Sequence, residues 1–522
     1  KHKNDQEKDK NDKDYRRQVR AERRERYTKA VEQLGDEKAP IRMGGVYTLV
    51  GLVDEWLEDE SIKKYEDRLK EGQVIINNLC AYIRSPFTLA SRYYELSQDT
   101  PTTEVIYKND QQKSHKKWQI ISSNLYACIR SRFTPDSRHD ELSQDGYTAF
   151  YKDREQEFYA DKATLDSEAD VRLSIIKEIH DRIQGPDKNT PGTWSDFEYD
   201  FSGSTFFYPI EFSRVFFNKT ADFSGCTYMY EADFSGTICR NWADFRGSTY
   251  LAHANFSGSS YHGAASLNDS VYRSTADFSG NLYLDQANFS GSTYHDAVTF
   301  VNSTYRNWAV FRNSTYLGSA DFSGSVYHNQ ANFHNSVYTR VASFGDCTYH
   351  RADFSGSVYT DDVHFNNCRY GGDVYFRRSV YNGWADFQGS VYSKWANYTS
   401  SLYYGLAGFQ NSTYADKALF RGSVYGNAVT FQGSVFTGAA PAFMNVEAWA
   451  QYISFFAPTE NVFSLGQGYA IDTGASGLRG GCPPLAVEYR QYLAYKNGEL
   501  QEITQHLHGD DARSTDRLEL TK

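Results

Sequence analysis

Residues 276–297 read Ala-Asp-Phe-Ser-Gly-Asn-Leu-Tyr-Leu-Asp-Gln, then Ala-Asn-Phe-Ser-Gly-Ser-Thr-Tyr-His-Asp-Ala. The two halves share one grammar: a small residue, a polar residue, Phe, a Ser-Gly pair, and Tyr five residues after the Phe. Moving outward, the Phe slot recurs every eleven residues as Phe201, Phe212, Phe223, Phe234, Phe245, Phe256, Leu267, Phe278, Phe289, Phe300, Phe311, Phe322, Phe333 and Phe344. One unit is a residue short and gives Phe354; the series then runs through Phe365, Phe376, Phe387, Tyr398, Phe409, Phe420 and Phe431, 22 units in all. Most units carry the second aromatic, as at Tyr228, Tyr250, Tyr261, Tyr272, Tyr283, Tyr294 and Tyr305.

A period of eleven fits neither a lone helix nor a hairpin, and Gly, Ser, Thr and Asn in every unit disfavour helix. Small residues stand two before each aromatic: Ala221, Ala232 and Ala243 before Phe, and Ser248, Ser292 and Ser314 before Tyr, with Cys226, Cys347 and Cys368 as substitutes. Residues two apart on an extended segment face one side. Each unit therefore supplies two short strands that bury one large and one small side chain. The Ser-Gly pair supplies the positive φ of a sharp corner. Stacked coils then pile Phe223, Phe245, Phe289, Phe311 and Phe333 into internal columns, with Tyr228, Tyr250 and Tyr294 in others. The expectation is a mainly β solenoid whose rungs are stable only against their neighbours.

The Ala-Asp-Phe-Ser-Gly motif at 221–225 and 276–280, with Arg246 replacing Ser at 243–247, resembles the bacterial pentapeptide-repeat family in an eleven-residue variant. The resemblance covers roughly residues 200–436. It implies a right-handed quadrilateral β-helix with 22 residues per coil, built over 195–436.

The flanks differ in kind. Residues 1–26 are a run of Lys, Arg, Asp and Glu, read as a charged linker or exposed helix. Residues 27–190 read as an α-helical module. Val46, Leu49, Val50, Val53, Trp56 and Leu57 share a helix face, as do Ile75, Leu79, Tyr82 and Ile83, and then Ile175, Ile176, Ile179 and Ile183. Within it, 78–99 recurs at 124–145 with 15 of 22 positions identical; one copy continues the module and the other belongs to an insertion. The stretch from Arg26 to Gly35 and from Ile41 to Leu49 is similar to a helical module that precedes undecapeptide-type repeats in membrane-tethered bacterial proteins. That similarity implies an anchor before Lys1. Residues 437–522 form the expected C-terminal cap: aromatic up to 470, Gly-rich over 471–482, then a helix after Pro484 whose Leu485, Tyr489, Tyr492, Leu493, Leu500, Ile503 and Leu507 form one stripe. That stripe packs on the cap or pairs two copies into a homodimer.

The chain of 522 residues has 41 Tyr, 34 Phe and 38 Gly against 3 Met and 11 Pro, the bias of a repeat. Seven scattered cysteines argue against a disulfide framework and suit a reducing compartment. No run of 18 apolar residues and no signal peptide is present, so the expected location is cytoplasmic, as the soluble domain of a membrane-anchored protein. Residues 201–440 carry 17 acidic and 15 basic side chains, and no segment is a polycation, which disfavours nucleic acid as a partner.

Catalytic motifs are missing from the sequence: no Gly-Lys-Ser/Thr phosphate loop, no His-Glu-x-x-His, no Gly-x-Ser-x-Gly. We read no catalytic, cofactor-binding or metal-binding residues and expect no enzyme. Asp222, Asp233, Asp244, Asp277, Asp321, Asp353 and Asp386 share the slot before Phe, a phase that points outward, and read as a solvated ladder bonded to nearby turns. His262, His295, His328 and His350 each follow a repeat Tyr; His328 and His350 fall one rung apart, short of the ligand set that zinc needs. Trp242, Trp308, Trp384 and Trp395 stand three before the central aromatic, the first, second and fourth in one phase, and form the candidate interaction surface. The function expected is a non-catalytic scaffold presenting a rigid rod to a protein partner, membrane-tethered through a preceding segment. The alternative is a DNA-mimicking inhibitor or regulator of a DNA topoisomerase, which needs strong negative potential along the rod.

Overall fold

The computed structural model describes residues 2–101, 144–421, most of 423–438, and two short strands, Glu447–Ala448 and Ile453–Ser454. The second copy of the duplication, apart from 144–145, and the helix expected after Pro484 lie outside the described residues.

The N-terminal region is helical: α1 (His2–Leu34), α2 (Ala39–Glu58), α3 (Tyr65–Arg84), a 3₁₀ turn (Thr88–Arg92), α4 (Tyr93–Leu96) and α5 (Gln144–Ile183). Helix α1 runs without interruption through residue 26, and its end is fastened by Arg23 to Asp59 (2.6 Å) and Arg26 to Glu55 (2.8 Å). Val46, Leu49, Val50, Val53 and Trp56 of α2 face Ile75, Leu79 and Ile83 of α3 and Ile175, Ile176, Ile179 and Ile183 of α5, all buried. Helix α5 begins well before the apolar face that reveals its second half.

One polar center lies inside this region. Arg172 is 2% exposed and donates to Glu168 Oε1 (2.7 Å), Ile83 O (2.7 Å) and Ser85 O (2.9 Å). Tyr82 and Arg42 complete the shell of Glu168, at 2.9 and 3.2 Å. A buried guanidinium is tolerable only when its donors are matched in this way.

A β-solenoid of about 10 turns follows. Its first turn supplies β1 (Tyr199–Asp200), β2 (Thr205–Phe206), β3 (Ile210–Glu211) and β4 (Phe216–Phe217). Each pairs in parallel with the strand 22 residues later: Tyr199 with Ala221, Thr205 with Thr227, Ile210 with Ala232, Phe216 with Ile238. Four strand ladders therefore climb the rod. The two strands at 447–448 and 453–454 extend two of them past residue 436.

The inward phase is the one that the repeat dictates. Phe223, Phe245, Phe289, Phe311, Phe333, Tyr228, Tyr250 and Tyr294 are all buried, with Ala221, Ala243 and Cys226 beside them. Phe289 stacks on Phe311 at 4.9 Å, and Tyr294 on Tyr316 at 4.9 Å. Neighbouring Phe columns meet edge to face, as Phe278 does with Phe289 at 5.3 Å, the arrangement that ring quadrupoles favour.

Serine holds the corners. The Ser303 amide donates to Ser325 Oγ one turn on (3.1 Å), and the Ser303 hydroxyl donates to Phe278 O (3.0 Å). The Ser303 hydroxyl also accepts the Asn281 amide of the turn before it (3.2 Å), so one side chain satisfies an amide and a corner carbonyl that no strand ladder reaches. Cys226 keeps the pattern, its Sγ lying 3.1 Å from Phe201 O. Left-handed backbone at the corner is taken by Gly225 (φ 65°), and by Asn302 (φ 56°) where glycine is absent.

The helical region docks on the first turn. Gln73 of α3 bonds both Glu198 O (2.8 Å) and the Glu198 amide (2.9 Å), and Arg84 pairs with Asp200. Trp194 donates to Asp54 Oδ1 of α2 (2.7 Å), while Arg182 of α5 lies over its ring at 4.9 Å.

Candidate interaction surfaces

Because inward side chains alternate with outward ones, each strand type defines an external column: the second residue where the strand follows the Ala slot, the first where it ends in the buried Tyr. Two of the four columns follow the Ala slot. One runs Glu211, Asp233, Asn255, Asp277, Thr299, Asp321, Ser343, His364, Asp386, Gly408. The other starts Asp200, Asp222, Asp244, Ser266, Asn288, Val310. Between residues 199 and 436 these columns carry the acids of the strands.

Most of these carboxylates serve the backbone. Asp222 Oδ1 accepts the Ser224 amide (2.9 Å), Asp277 Oδ1 that of Ser279 (2.8 Å), and Asn255 does the same in its turn (3.1 Å). This is the Asx capping expected of a turn residue. The outward, solvated reading fails at two positions. Asp244 is fully buried and Asp386 is 2% exposed. Arg246 and Trp242 cover the first: Arg246 reaches Asp244 Oδ2 at 3.1 Å and lies 5.7 Å from the Trp242 ring. Gln388 and His364 close over the second, at 3.2 and 3.9 Å. Burial pushes both carboxyls above their ordinary value, against the hydrogen bonds and nearby cations that pull them down.

The two columns preceding Tyr are different. One reads Thr205, Thr227, Thr249, Val271, Thr293, Thr315, Val337, Val358, Val380, Leu402 without a charge. The other reads Phe216, Ile238, Ser260, Leu282, Thr304, Val326, Thr348, Arg369, Val391, Thr413, with Arg369 its sole charge. β-Branched side chains at most rungs make flat, stiff faces.

Trp242, Trp308 and Trp395 stand on one corner of the rod, 37%, 53% and 42% exposed. They are three and four turns apart, so at ~4.8 Å per rung they are separate projections and not one patch. Trp242 donates to Ser266 Oγ (3.2 Å), and Lys417 lies 5.2 Å from the Trp395 ring. Trp384 stands on the alternate corner, half-buried with His364 edge-on at 5.5 Å. Tyr230, Leu317, Val341, Tyr404 and Leu406, all exposed, mark that alternate corner, which borders the charge-free Thr/Val column.

Among the described residues no group of three or more His, Cys, Asp and Glu is placed to hold a metal ion. Cys226 and Cys239 are buried, and burial pushes both thiols up to about 12. No described helix is long and apolar enough to cross a membrane. No family model matches the chain, and neither a curated protein nor a solved structure does.

Proposed function

We propose that the chain is a non-catalytic scaffold whose rod binds a protein partner. The observation that carries this reading is the Thr/Val column from Thr205 to Leu402, a charge-free strip along the solenoid bordered by exposed apolar side chains. Burying charge-free surface in an interface avoids the desolvation cost that an acidic face incurs. The architecture belongs with the pentapeptide-repeat type in its eleven-residue form. Four strand ladders per 22-residue turn support a quadrilateral section, and parallel strands linked in sequence favour the right hand. The helical region would hold the rod at a membrane or in an assembly through a segment preceding it. Mimicry of DNA for a topoisomerase is the weaker reading: the two columns before Tyr carry no carboxylate from Thr205 to Thr413, and the acids elsewhere are interrupted by Asn, Ser and Thr and engaged in capping.

The test compares three baits in cross-linked cell extract: wild type, a Thr249→Lys, Thr293→Lys, Val380→Lys variant, and a Trp242→Ser, Trp308→Ser, Trp395→Ser variant. A partner captured by wild type, lost with the lysine variant and bound directly once purified supports the strip. Equal recovery by wild type and the lysine variant overturns it. Loss with the Trp variant alone moves the interface to the tryptophan corner.

A further inference from the structure

The place where the repeat loses a residue carries a second surface feature. Between Tyr327 and Ala331 three residues turn the corner; between Tyr349 and Ala352 only His350 and Arg351 do. The strands there run straight across the corner, Val326–Asn332 against Thr348–Asp353, with a register shift after Tyr327. A groove of about 390 Å³ opens beside this fault. Its lining comes in pairs that flank a buried Tyr: Val326 and His328, Thr348 and His350, Arg369 and Gly371, Val391 and Ser393.

Two details single it out. Gly371 leaves a gap between His350 and Ser393, yet nothing in the fold demands glycine there: its φ is not in the left-handed region, and a Cβ would meet only Tyr349 O, at 3.7 Å. Arg369 is exposed and, among the described residues, its guanidinium makes no ion pair or hydrogen bond. The nearby acid Asp373 is already paired with Arg351 at 3.5 Å. No lining residue carries a carboxylate.

We propose that this groove binds a phosphoryl group borne by a small organic molecule. The planar fork of Arg369 matches two phosphoryl oxygens, and His328 and His350 offer further donors from the other wall. Val326, Thr348 and Val391 provide methyl surface for the organic remainder. A polymer of phosphates fits poorly, because the other outward residues of this column are uncharged from Phe216 to Thr413.

Binding of phenyl phosphate, inorganic phosphate and benzoate to the full chain would be followed by calorimetry and by the His imidazole resonances, with circular dichroism confirming the fold. Saturable phenyl phosphate binding is expected, tighter than for inorganic phosphate and about tenfold tighter than for benzoate. Arg369→Gln should weaken it about tenfold, and Gly371→Gln, which fills the gap without changing charge, by a similar factor. Arg312→Gln, on a different corner, should leave it unchanged. No saturation below about 20 mM, unchanged binding by the Arg369 or Gly371 variant, or equal affinity for benzoate would each overturn the assignment. None of these outcomes depends on whether the Thr/Val strip has a protein partner.

Discussion

In the solenoid, Phe311 meets Phe289 one turn before it at 4.9 Å and Phe333 one turn after it at 4.8 Å. Phe322, one unit on, does the same with Phe300 and Phe344, at 4.8 Å in both directions. In the helical region Arg172 has no counterpart; its partners Glu168, Ile83 and Ser85 come from two separated segments and occur once. A repeated contact spreads stability over many equivalent rungs, so each can be varied. A single buried polar center concentrates it, so its members cannot be exchanged one at a time.

The contrast is most exposed to test at Glu168. Glu168→Ala leaves the Arg172 guanidinium buried beside a missing counter-ion, and the helical signal in thermal circular dichroism should report a loss of roughly 3–5 kcal/mol. A loss below about 1 kcal/mol would mean the center is no more critical than a rung. The matching change in the rod is Phe311→Leu. Leu267 already occupies the same slot, fully buried, so the cost should stay under about 1.5 kcal/mol by chemical denaturation.

The Tyr columns give a finer comparison. Tyr305 is fully buried, and its hydroxyl has no hydrogen-bond partner among the described residues, whereas Tyr283 accepts from Asn281 Nδ2 at 3.0 Å. Tyr283→Phe should therefore cost about 1–2 kcal/mol by stranding the Asn281 amide, while Tyr305→Phe should be neutral or stabilizing. Equal losses in the two variants would show that the Tyr305 hydroxyl is satisfied after all.

Asp244 carries a pH signature. Its carboxyl is raised by burial, so the folded protein holds that proton more tightly than the unfolded chain. The resulting stability is fully present below the ordinary carboxyl value and is lost as pH rises through the folded one. Asp244→Asn, a residue the same slot accepts at Asn288, removes this loss. Its stability relative to wild type should grow between about pH 3 and pH 7, and a flat difference would contradict the assignment. The smallest effect belongs to Trp308→Ser, which should change unfolding stability by no more than about 0.5 kcal/mol, because its ring is half exposed and outside the columns.

Reading by phase worked where the environment repeats. Small residues at i−2, aromatics at i and left-handed corners at Gly225 and Gly280 are each forced by one local rule applied over and over. It failed where two residues in equivalent slots have different neighbors. Asp222 and Asp244 are indistinguishable by position, but only Asp244 lies beneath Arg246 and Trp242. The tryptophan phase was legible, and so was the missing residue before Phe354; that the shortened corner borders a groove containing Arg369 and Gly371 was not. In the helical region the apolar faces of α2 and α3 were legible from spacing. The Arg172 center was not, since nothing local marks an arginine on α5 as the partner of carbonyls at Ile83 and Ser85.

By itself, then, the chain settles everything that depends on residues less than one turn apart: which side chains point in, where corners fall, and that a helical segment precedes them. Only the assembled turns decide what depends on residues one or more rungs apart, namely which outward columns are free of charge, that His364 closes over Asp386, and which side chains share a groove with Arg369. The physical reason is that side-chain direction is fixed by backbone geometry within a unit, whereas burial and charge pairing depend also on the side chains stacked above and below.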